Sequence, residues 1–185
     1  MSVQGKRYGG LFRGSGEPND IEVVVRSTGT SIEAEYIGEP RPPGLAGRLL
    51  APAGGVVQHW DRFVLPSIVQ VEYRLEDNHL LVTSALTPVS PAETRLHSAV
   101  TFSLRVPHVF VKAVLPPVAA VIFGQDARIL RRQAEAIARF GGEQFASTEI
   151  DVLGQGILRL LRRAERGETG ADTDTPGERR LRLRI

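Results

Sequence analysis

The chain has 185 residues, of which 42% are hydrophobic, and its formal net charge is +2. This length and composition suffice to bury one sizeable core, so we expect one folded domain. The absence of cysteine excludes disulfide bonds, a thiolate zinc site and a cysteine-held iron–sulfur cluster within this chain.

The start of the chain and the pattern of basic residues bear on location and partners. MSVQGKRYGG lacks the apolar stretch of a secretory signal, and no run of about 18 apolar residues follows it, so we expect a cytoplasmic protein without a membrane span. The basic residues are 21 arginines and two lysines, and many lie on the outer faces of two helical segments. Because no nucleic-acid motif accompanies them, solvated helix faces explain them and no nucleic-acid partner is expected.

The first part of the chain contains an arm, a hairpin and a loop. Residues 1–20 are rich in glycine and polar residues and are expected to form a flexible N-terminal arm. Residues 21–26 and 30–37 are short β-like runs that predict a hairpin. Residues 38–55 carry four prolines and five glycines. A loop of this length is uncommon in a compact domain, and a lid, a docking loop and a disordered insertion all remain open for it.

The middle of the chain is strongly β. Four alternating segments are separated by turn residues: VVQHWDRFV, SIVQVEYRL, HLLVTSALTP and TRLHSAVTFSLRV. Strands this close in sequence must run antiparallel. With the first hairpin they predict about six strands, which end before Pro107.

A long helix is predicted over residues 116–140, after a short helical or irregular bridge. At 100° per residue, its apolar residues fall on one face: Ile122, Ile129, Ala136, Ile137 and Phe140. Asp126 and Gln133 interrupt that face. A buried carboxylate is costly unless it is paired, protonated or bound to a metal. Asp126 is therefore either a buried acid satisfied by an arginine or a backbone amide, or a ligand or catalytic acid that faces a cavity.

The end of the chain contains a second helix and a tail. Gly141-Gly142 predicts the end of the long helix, and residues 150–166 predict another amphipathic helix. Residues 167–185 are polar and are expected to be a disordered tail. The organised domain is therefore expected to span residues 21–166.

These elements predict an α+β fold in which an antiparallel sheet curls around the long helix. Such an arrangement leaves a cavity between sheet and helix that suits a small apolar ligand. The candidate pocket residues are Asp126, Gln133, Ile122, Ile129 and Trp60.

Several motifs resemble the C-terminal part of Rieske non-haem iron oxygenases, in the branch of vanillate demethylase and pheophorbide a oxygenase. A W-x-R strand contains Trp60 and Arg62, and Thr87-Pro88 is followed by Thr94-Arg95 as in the T-P-x-x-x-x-x-T-R strand end of that branch. The helix segment QDARILRRQ matches the E/Q-D-x-x-I/V-x-x-x-Q/A pattern. The resemblance covers about residues 20–166.

The resemblance implies a helix-grip (START-like) fold that is incomplete at its N-terminus. It also implies that Asp126 is similar to the carboxylate of a 2-His-1-carboxylate iron triad, so Fe(II) is a cofactor by resemblance alone. The family's N-x-x-D-x-x-H-x-x-x-x-H helix and its C-x-H…C-x-x-H Rieske motif are absent from this sequence. The remaining iron ligands and the electrons would have to come from another chain or from a missing N-terminal segment.

A second metal hypothesis involves one strand. His59 and Asp61 lie two residues apart and share a face, so they could join Asp126 in a substitute site. The alternative is an exposed His–Asp pair without a metal.

Three functions are compatible with the sequence. The first is the substrate-binding part of a Rieske-type aromatic-ring oxygenase or demethylase, inactive alone, whose partners are a small hydrophobic or aromatic substrate and an iron–sulfur-bearing chain. The alternatives are a non-catalytic helix-grip module for a small hydrophobic ligand and a purely structural subunit. Because the strand and two helices with which a helix-grip fold begins are missing, the sheet is expected to have an exposed edge, which favours a homo-oligomer or docking.

Overall fold

The structure is a computed structural model. It describes residues 20–40, 56–75, 77–103, 108–142, 146–148, 151–168 and 177–184. Most of the predicted N-terminal arm and residues 41–55 of the predicted loop lie outside the described residues.

The described strands form one antiparallel sheet. Its strands are β1 (Asp20–Ser27), β2 (Ser31–Pro40), β3 (Val56–Val64), β4 (Ile68–Leu75), β5 (Asn78–Ser90), β6 (Glu93–Ser103) and β7 (Gly177–Arg184). The order across the sheet is β6-β5-β4-β3-β2-β1-β7, so β1 to β6 form a continuous meander. The predicted α+β class, an antiparallel sheet curled around a long helix, is confirmed; the sheet is open, and it has seven strands in the described residues where about six were predicted.

The first hairpin is confirmed, and its turn is held by one threonine. The backbone N–H of Thr28 donates to the carbonyl of Ser31 at 2.8 Å. The Thr28 hydroxyl in turn accepts the Ser31 N–H at 3.0 Å. A hydroxyl that bonds nearby backbone groups is a common way to stabilise a tight turn, and it fixes the β1–β2 register here.

The two helices are α1 (His108–Phe140) and α2 (Gly154–Glu165). α1 begins earlier than predicted and includes the bridge, with Pro116 and Pro117 inside it. Its predicted end is confirmed, since Gly141 has a φ of 79° and its N–H donates to the Ile137 carbonyl at 3.0 Å. α2 is shorter at both ends than the predicted helix.

The main core lies between one face of the sheet and α2. We call this sheet face the inner face and the opposite one the outer face. Side chains alternate between the two faces along each strand. The buried core residues are Ile21, Val23, Val25, Ile32, Ala34, Phe63 and Leu160. Leu160 is the α2 residue of this cluster, so α2 closes the inner face over β1, β2 and β3.

The position of α1 differs from the expectation that its apolar face lies across the sheet. Of that face, Ile129 is 42% exposed and Phe140 78%, whereas Ile122 and Ile137 are half-buried. The hydrophobic period of a helix determines which residues share a face, but it does not determine which element covers that face. Here the shorter helix contributes to the core cluster of the sheet, and on α1 Val111, near its start, is buried.

α1 also bears on the prediction that no segment spans a membrane. By length and composition alone, Val111–Phe140 could cross a membrane, and none of its most apolar window is buried. The core helix of a soluble protein can have the same length and composition. The absence of a membrane span therefore stays a prediction.

The predicted disordered tail is wrong for residues 177–184, which form β7. β7 pairs antiparallel with β1 over its whole length, from Asp20↔Arg184 to Ser27↔Gly177. Leu181 and Leu183 pack against the core cluster. The edge of β1 is thus covered by β7 of the same chain and is not exposed. The homo-oligomer stays a prediction, but it would not form through the edge of β1.

Candidate functional site

A stack of three rings lies in the middle of the inner face. His59 on β3 is in register with Tyr36 on β2 and with Tyr73 on β4. The His59 ring centroid lies 4.7 Å from that of Tyr36 and 4.3 Å from that of Tyr73, with interplanar angles of 18° and 17°. Because cross-strand neighbours on one face are about 5 Å apart, the register alone brings these rings into contact. We call these three residues the inner-face stack.

Asp61 adds a carboxylate to the inner-face stack. Its Oδ1 lies 3.1 Å from Nε2 of His59, which confirms the prediction that the two residues share a face. His59 is only 8% exposed, whereas the Asp61 side chain is 28% exposed. A carboxylate in this position fixes the orientation of the imidazole by accepting a hydrogen bond from it. The pair can therefore hold a polar ligand group or transfer a proton to it.

The predicted metal arrangement does not assemble around this pair. Asp126 is exposed on α1, not packed on the inner face. Among the described residues, no group of three or more His, Asp or Glu side chains could hold a metal ion. The donor set in this part of the chain therefore does not fit a 2-His-1-carboxylate iron site, and the assignment of Asp126 as an iron ligand stays a prediction.

The five predicted pocket residues are not brought together. Trp60 lies between His59 and Asp61 on β3, and the period of two therefore turns it to the outer face. There its ring contacts the guanidinium groups of Arg62 and Arg74, at 5.8 and 5.4 Å from the ring centroid. Ile122 is half-buried and Ile129 is exposed on α1.

Gln133, the remaining member of that set, lines a cavity of about 680 Å³ between α1 and α2. The apolar part of its wall includes Ile157, Leu158 and Leu161 of α2. The size and wall of this cavity suit a small, partly apolar ligand. Gln133 thus lies beside a cavity whose opposite wall is formed by α2 and not by the sheet, and its role in ligand binding stays a prediction.

An ion-pair network occupies the outer face beside Trp60. Glu72 is 4% exposed, and its carboxylate accepts hydrogen bonds from Arg62, from Arg74 at 2.6 Å and from His79 at 2.9 Å. Burial favours the neutral acid, but these hydrogen bonds outweigh it and hold the pKa of Glu72 below its ordinary value of 4.5. Arg62 also donates to Glu33. Arg62 and Arg74 therefore pair with Glu72, not with Asp126.

Sequence reasoning missed Tyr36, Tyr73 and Glu72. All three have partners on neighbouring strands, and their role depends on a register that one strand cannot reveal. For Glu72 the available signal was the basic residues at positions of the same face, Arg74 on its own strand and Arg62 on the strand before.

Comparison with curated proteins and with solved structures found no match. The family described as vanillate O-demethylase oxygenase C-terminal domain matches residues 9–167, which is most of the chain and includes β1 to β6 and both helices. This match agrees with the resemblance that the T-P…T-R strand end and the Q-D helix indicate in the sequence. The chain belongs to the family of the vanillate O-demethylase oxygenase C-terminal domain.

Proposed function

We propose that this chain is the substrate-binding part of a Rieske-type aromatic-ring oxygenase or demethylase and is not active alone. Its family supports an oxygenase context with a small aromatic substrate and a Rieske partner domain. The observation that carries the proposal within this chain is the inner-face stack, in which two tyrosines flank a histidine bonded to a carboxylate. Aromatic walls with one polar group are a common way to orient an aromatic ligand.

In this proposal the iron ligands and the electrons come from outside the described residues. Bound Fe(II) would supply the activation of dioxygen in such an enzyme. The described residues of this chain would bind and orient the substrate and exclude water from it. Asp61 would keep the His59 ring in a fixed orientation. A substrate oxygen could then accept a hydrogen bond from the His59 ring in one defined geometry.

Ligand titration tests the proposal. Calorimetry with vanillate, the compound in the family's name, is expected to show saturable binding to the wild-type chain. Replacing His59 by Ala should weaken binding by about tenfold or more, the cost of one lost hydrogen bond to a charged group. The matched control is His97→Ala, since His97 is exposed on β6. Equal weakening in both variants, or no binding of vanillate and related methoxybenzoates, would contradict the proposal.

One observation favours a non-catalytic module for a small hydrophobic ligand. The cavity between α1 and α2 has an apolar wall and is about 680 Å³ in volume, which falls in the range of ligand pockets. Leu161→Trp would fill it. If that variant loses ligand binding while His59→Ala retains it, the ligand binds between the helices and the second function is favoured.

A further inference from the structure

β6 is an edge strand of the sheet formed by the described residues. It pairs with β5 on one side, and no described strand lies on its other side. Of its eleven residues, Val100 and Phe102 are half-buried and the others are exposed. An edge of this length offers a row of backbone N–H and C=O groups to another strand.

Pro88 on β5 reveals which residues of β6 point to the free side. In an antiparallel ladder, hydrogen-bonded pairs alternate with pairs whose N–H and C=O groups point away from each other. Pro88 faces Thr94 and has no N–H, so this pair is of the second kind. By alternation, Leu96, Ser98 and Val100 also direct their backbone groups away from β5, to the free edge.

The side chains of the same residues belong to the inner face. Cross-strand partners share a face, so the registers from β3 to β6 place the even-numbered residues of β6 on the inner face. Leu96, which is 43% exposed, and Val100 are thus apolar side chains at the open margin of that face. A strand added beyond β6 would cover them.

The other edge of the described sheet is protected by charge, whereas β6 is not. β7 carries four arginines and one glutamate among its eight residues, and two such strands side by side would repel each other. In β6 the charged side chains Glu93 and Arg95 lie near one end, and the strand contains no lysine or proline. Residues 96–103 therefore lack the usual features that keep an edge strand from pairing.

The sequence of β6 is complementary to itself in an antiparallel pair. A twofold axis at Ser98 would pair all eleven residues, with Leu96 of each copy opposite Val100 of the other. Neither Glu93 nor Arg95 would face a like charge in this register. The backbone also matches, because residues that point to the free edge in one copy then face residues that do so in the other.

We propose that this chain forms a homodimer in which β6 pairs antiparallel with β6 of a second copy about an axis at Ser98. Main-chain hydrogen bonds of Leu96, Ser98 and Val100 supply the attraction, and the apolar cross-strand pairs fix the register. The two sheets join into one sheet with a continuous inner face. β6 lies three strands from β3, which carries His59, so this inference does not rest on the proposed function.

Sedimentation equilibrium of the full chain over about 1–100 µM tests the proposal, because dimerisation depends on concentration. The wild type should show a monomer–dimer equilibrium. Leu96→Lys with Val100→Lys places the introduced lysines of the two copies opposite each other and should raise the dimer dissociation constant about tenfold or more. Leu96→Lys with Val100→Glu places opposite charges at the same positions and should recover about tenfold or more of that loss.

A variant without added charge tests the backbone contribution. Leu96→Pro removes an N–H that points to the free edge and that β5 does not use. The chain should therefore stay folded while the dimer dissociation constant rises about tenfold or more.

The matched control is Val89→Lys with Val109→Lys, which adds the same charge at two exposed valines outside β6. It should dimerise within about twofold of wild type, and far-UV circular dichroism should show that all variants are folded. Vanillate binding should be equal in the wild type and the double-lysine variant of β6, so the dimer and the proposed function can fail independently.

Three results would overturn the proposal. One is a wild type that stays monomeric at the highest concentration, which would leave the edge to a strand of another protein. The second is a dimer that neither the double-lysine change nor Leu96→Pro weakens. The third is a lysine–glutamate variant that dimerises no better than the double-lysine variant, because this would contradict the pairing of Leu96 with Val100.

Discussion

Among the charged residues that the structure describes, Glu72 is the most buried. Its side chain is 5% exposed, whereas those of Arg62 and Arg74 are 26% and 56% exposed. The carboxylate thus loses its water while its arginine partners keep part of theirs. Removing the carboxylate charge would leave Arg62 with Glu33 alone, so the network depends on one central acid.

We expect Glu72→Gln to lower the free energy of unfolding by about 1–3 kcal/mol at pH 7. The estimate stays below the cost of breaking a fully buried pair because the arginines are partly hydrated. Urea denaturation measures the change. The control is Glu22→Gln, whose pair with Arg180 is exposed and should contribute less than about 1 kcal/mol. If the two changes lowered the free energy of unfolding equally, the burial of Glu72 would not strengthen its ion pairs.

The pKa of Glu72 also predicts a pH dependence. A carboxyl group whose pKa is lower in the folded state stabilises the protein above its unfolded pKa, and that stabilisation is lost as the pH falls through the folded pKa. We therefore expect the stability difference between wild type and Glu72→Gln to be constant near neutral pH. It should shrink below about pH 4.5, the ordinary value for this group. A difference that grows on acidification would contradict the assignment.

Because Asp126 is exposed, we expect that removing its charge has little effect on stability. Asp126→Asn should change the free energy of unfolding by no more than about 0.5 kcal/mol, as for other surface changes. A loss of roughly 3–5 kcal/mol would instead indicate a buried pair with an arginine. Fe(II) titration accompanies this test, and we expect no stoichiometric binding by the isolated chain. Tight 1:1 binding that is lost in both Asp126→Asn and His59→Ala would restore the metal hypothesis for these residues.

At the scale of elements, α2 lies against β2 so closely that a side chain at Gly156 would have to displace the end of Ile32. A Cβ built on Gly156 would lie well inside van der Waals distance of Cδ1 of Ile32, and Ile32 is 4% exposed. Gly156 is buried in the first turn of α2. The helix gives up intrinsic stability at this position to approach the sheet.

Two opposing effects decide the outcome of Gly156→Ala. Alanine favours the helix by about 1 kcal/mol, but overpacking a core costs about 1–3 kcal/mol. We expect a net loss of stability in the wild-type background. In an Ile32→Val background the clashing Cδ1 atom is gone, so the same change should be neutral or stabilising. Urea denaturation of the wild type, the two single variants and the double variant gives the coupling free energy between positions 32 and 156. Additive effects would contradict a contact between the two residues.

β7 carries the clearest prediction about an element. Deleting residues 168–185 should lower the melting temperature by roughly 5–15 °C, since two half-buried leucines and the pairing of β1 are lost. Leu181→Ser with Leu183→Ser should reproduce most of this fall. Arg180→Ser with Arg182→Ser alters the outer face of the same strand and should have a much smaller effect. A change of only one or two degrees on deletion would mean that β7 does not pack on the domain.

At the scale of the whole molecule, the meander could be predicted from the sequence because each strand carries its own signal. The alternating segment 56–64 predicts the bounds of β3 correctly, because successive side chains of a strand point to opposite faces of the sheet. The placement of α1 could not be predicted, because an amphipathic pattern defines a face but not its partner. β7 was missed because its arginines suggested disorder, although RRLRLR alternates as a strand does.

The candidate site was predictable only in part, for the same physical reason. His59 and Asp61 share a strand, so their common face follows from local geometry. Tyr36 and Tyr73 join them through the registers of two strand pairs, and the cavity beside Gln133 requires α1 and α2 to meet. Both depend on contacts between distant parts of the chain.

The pairing of β1 with β7 has a consequence for how the protein reaches its folded state. Ser27 and Gly177 lie side by side in the sheet, yet they are 150 residues apart in sequence. A growing chain presents β1 and β2 long before β7 exists, at a synthesis rate of about 5–20 residues per second. For on the order of ten seconds or more, the backbone groups along the free side of β1 therefore have no strand to pair with. Contacts this distant also slow folding after synthesis. The nascent protein is thus most prone to aggregation, and most in need of a chaperone, at the strand that is best buried in the finished sheet.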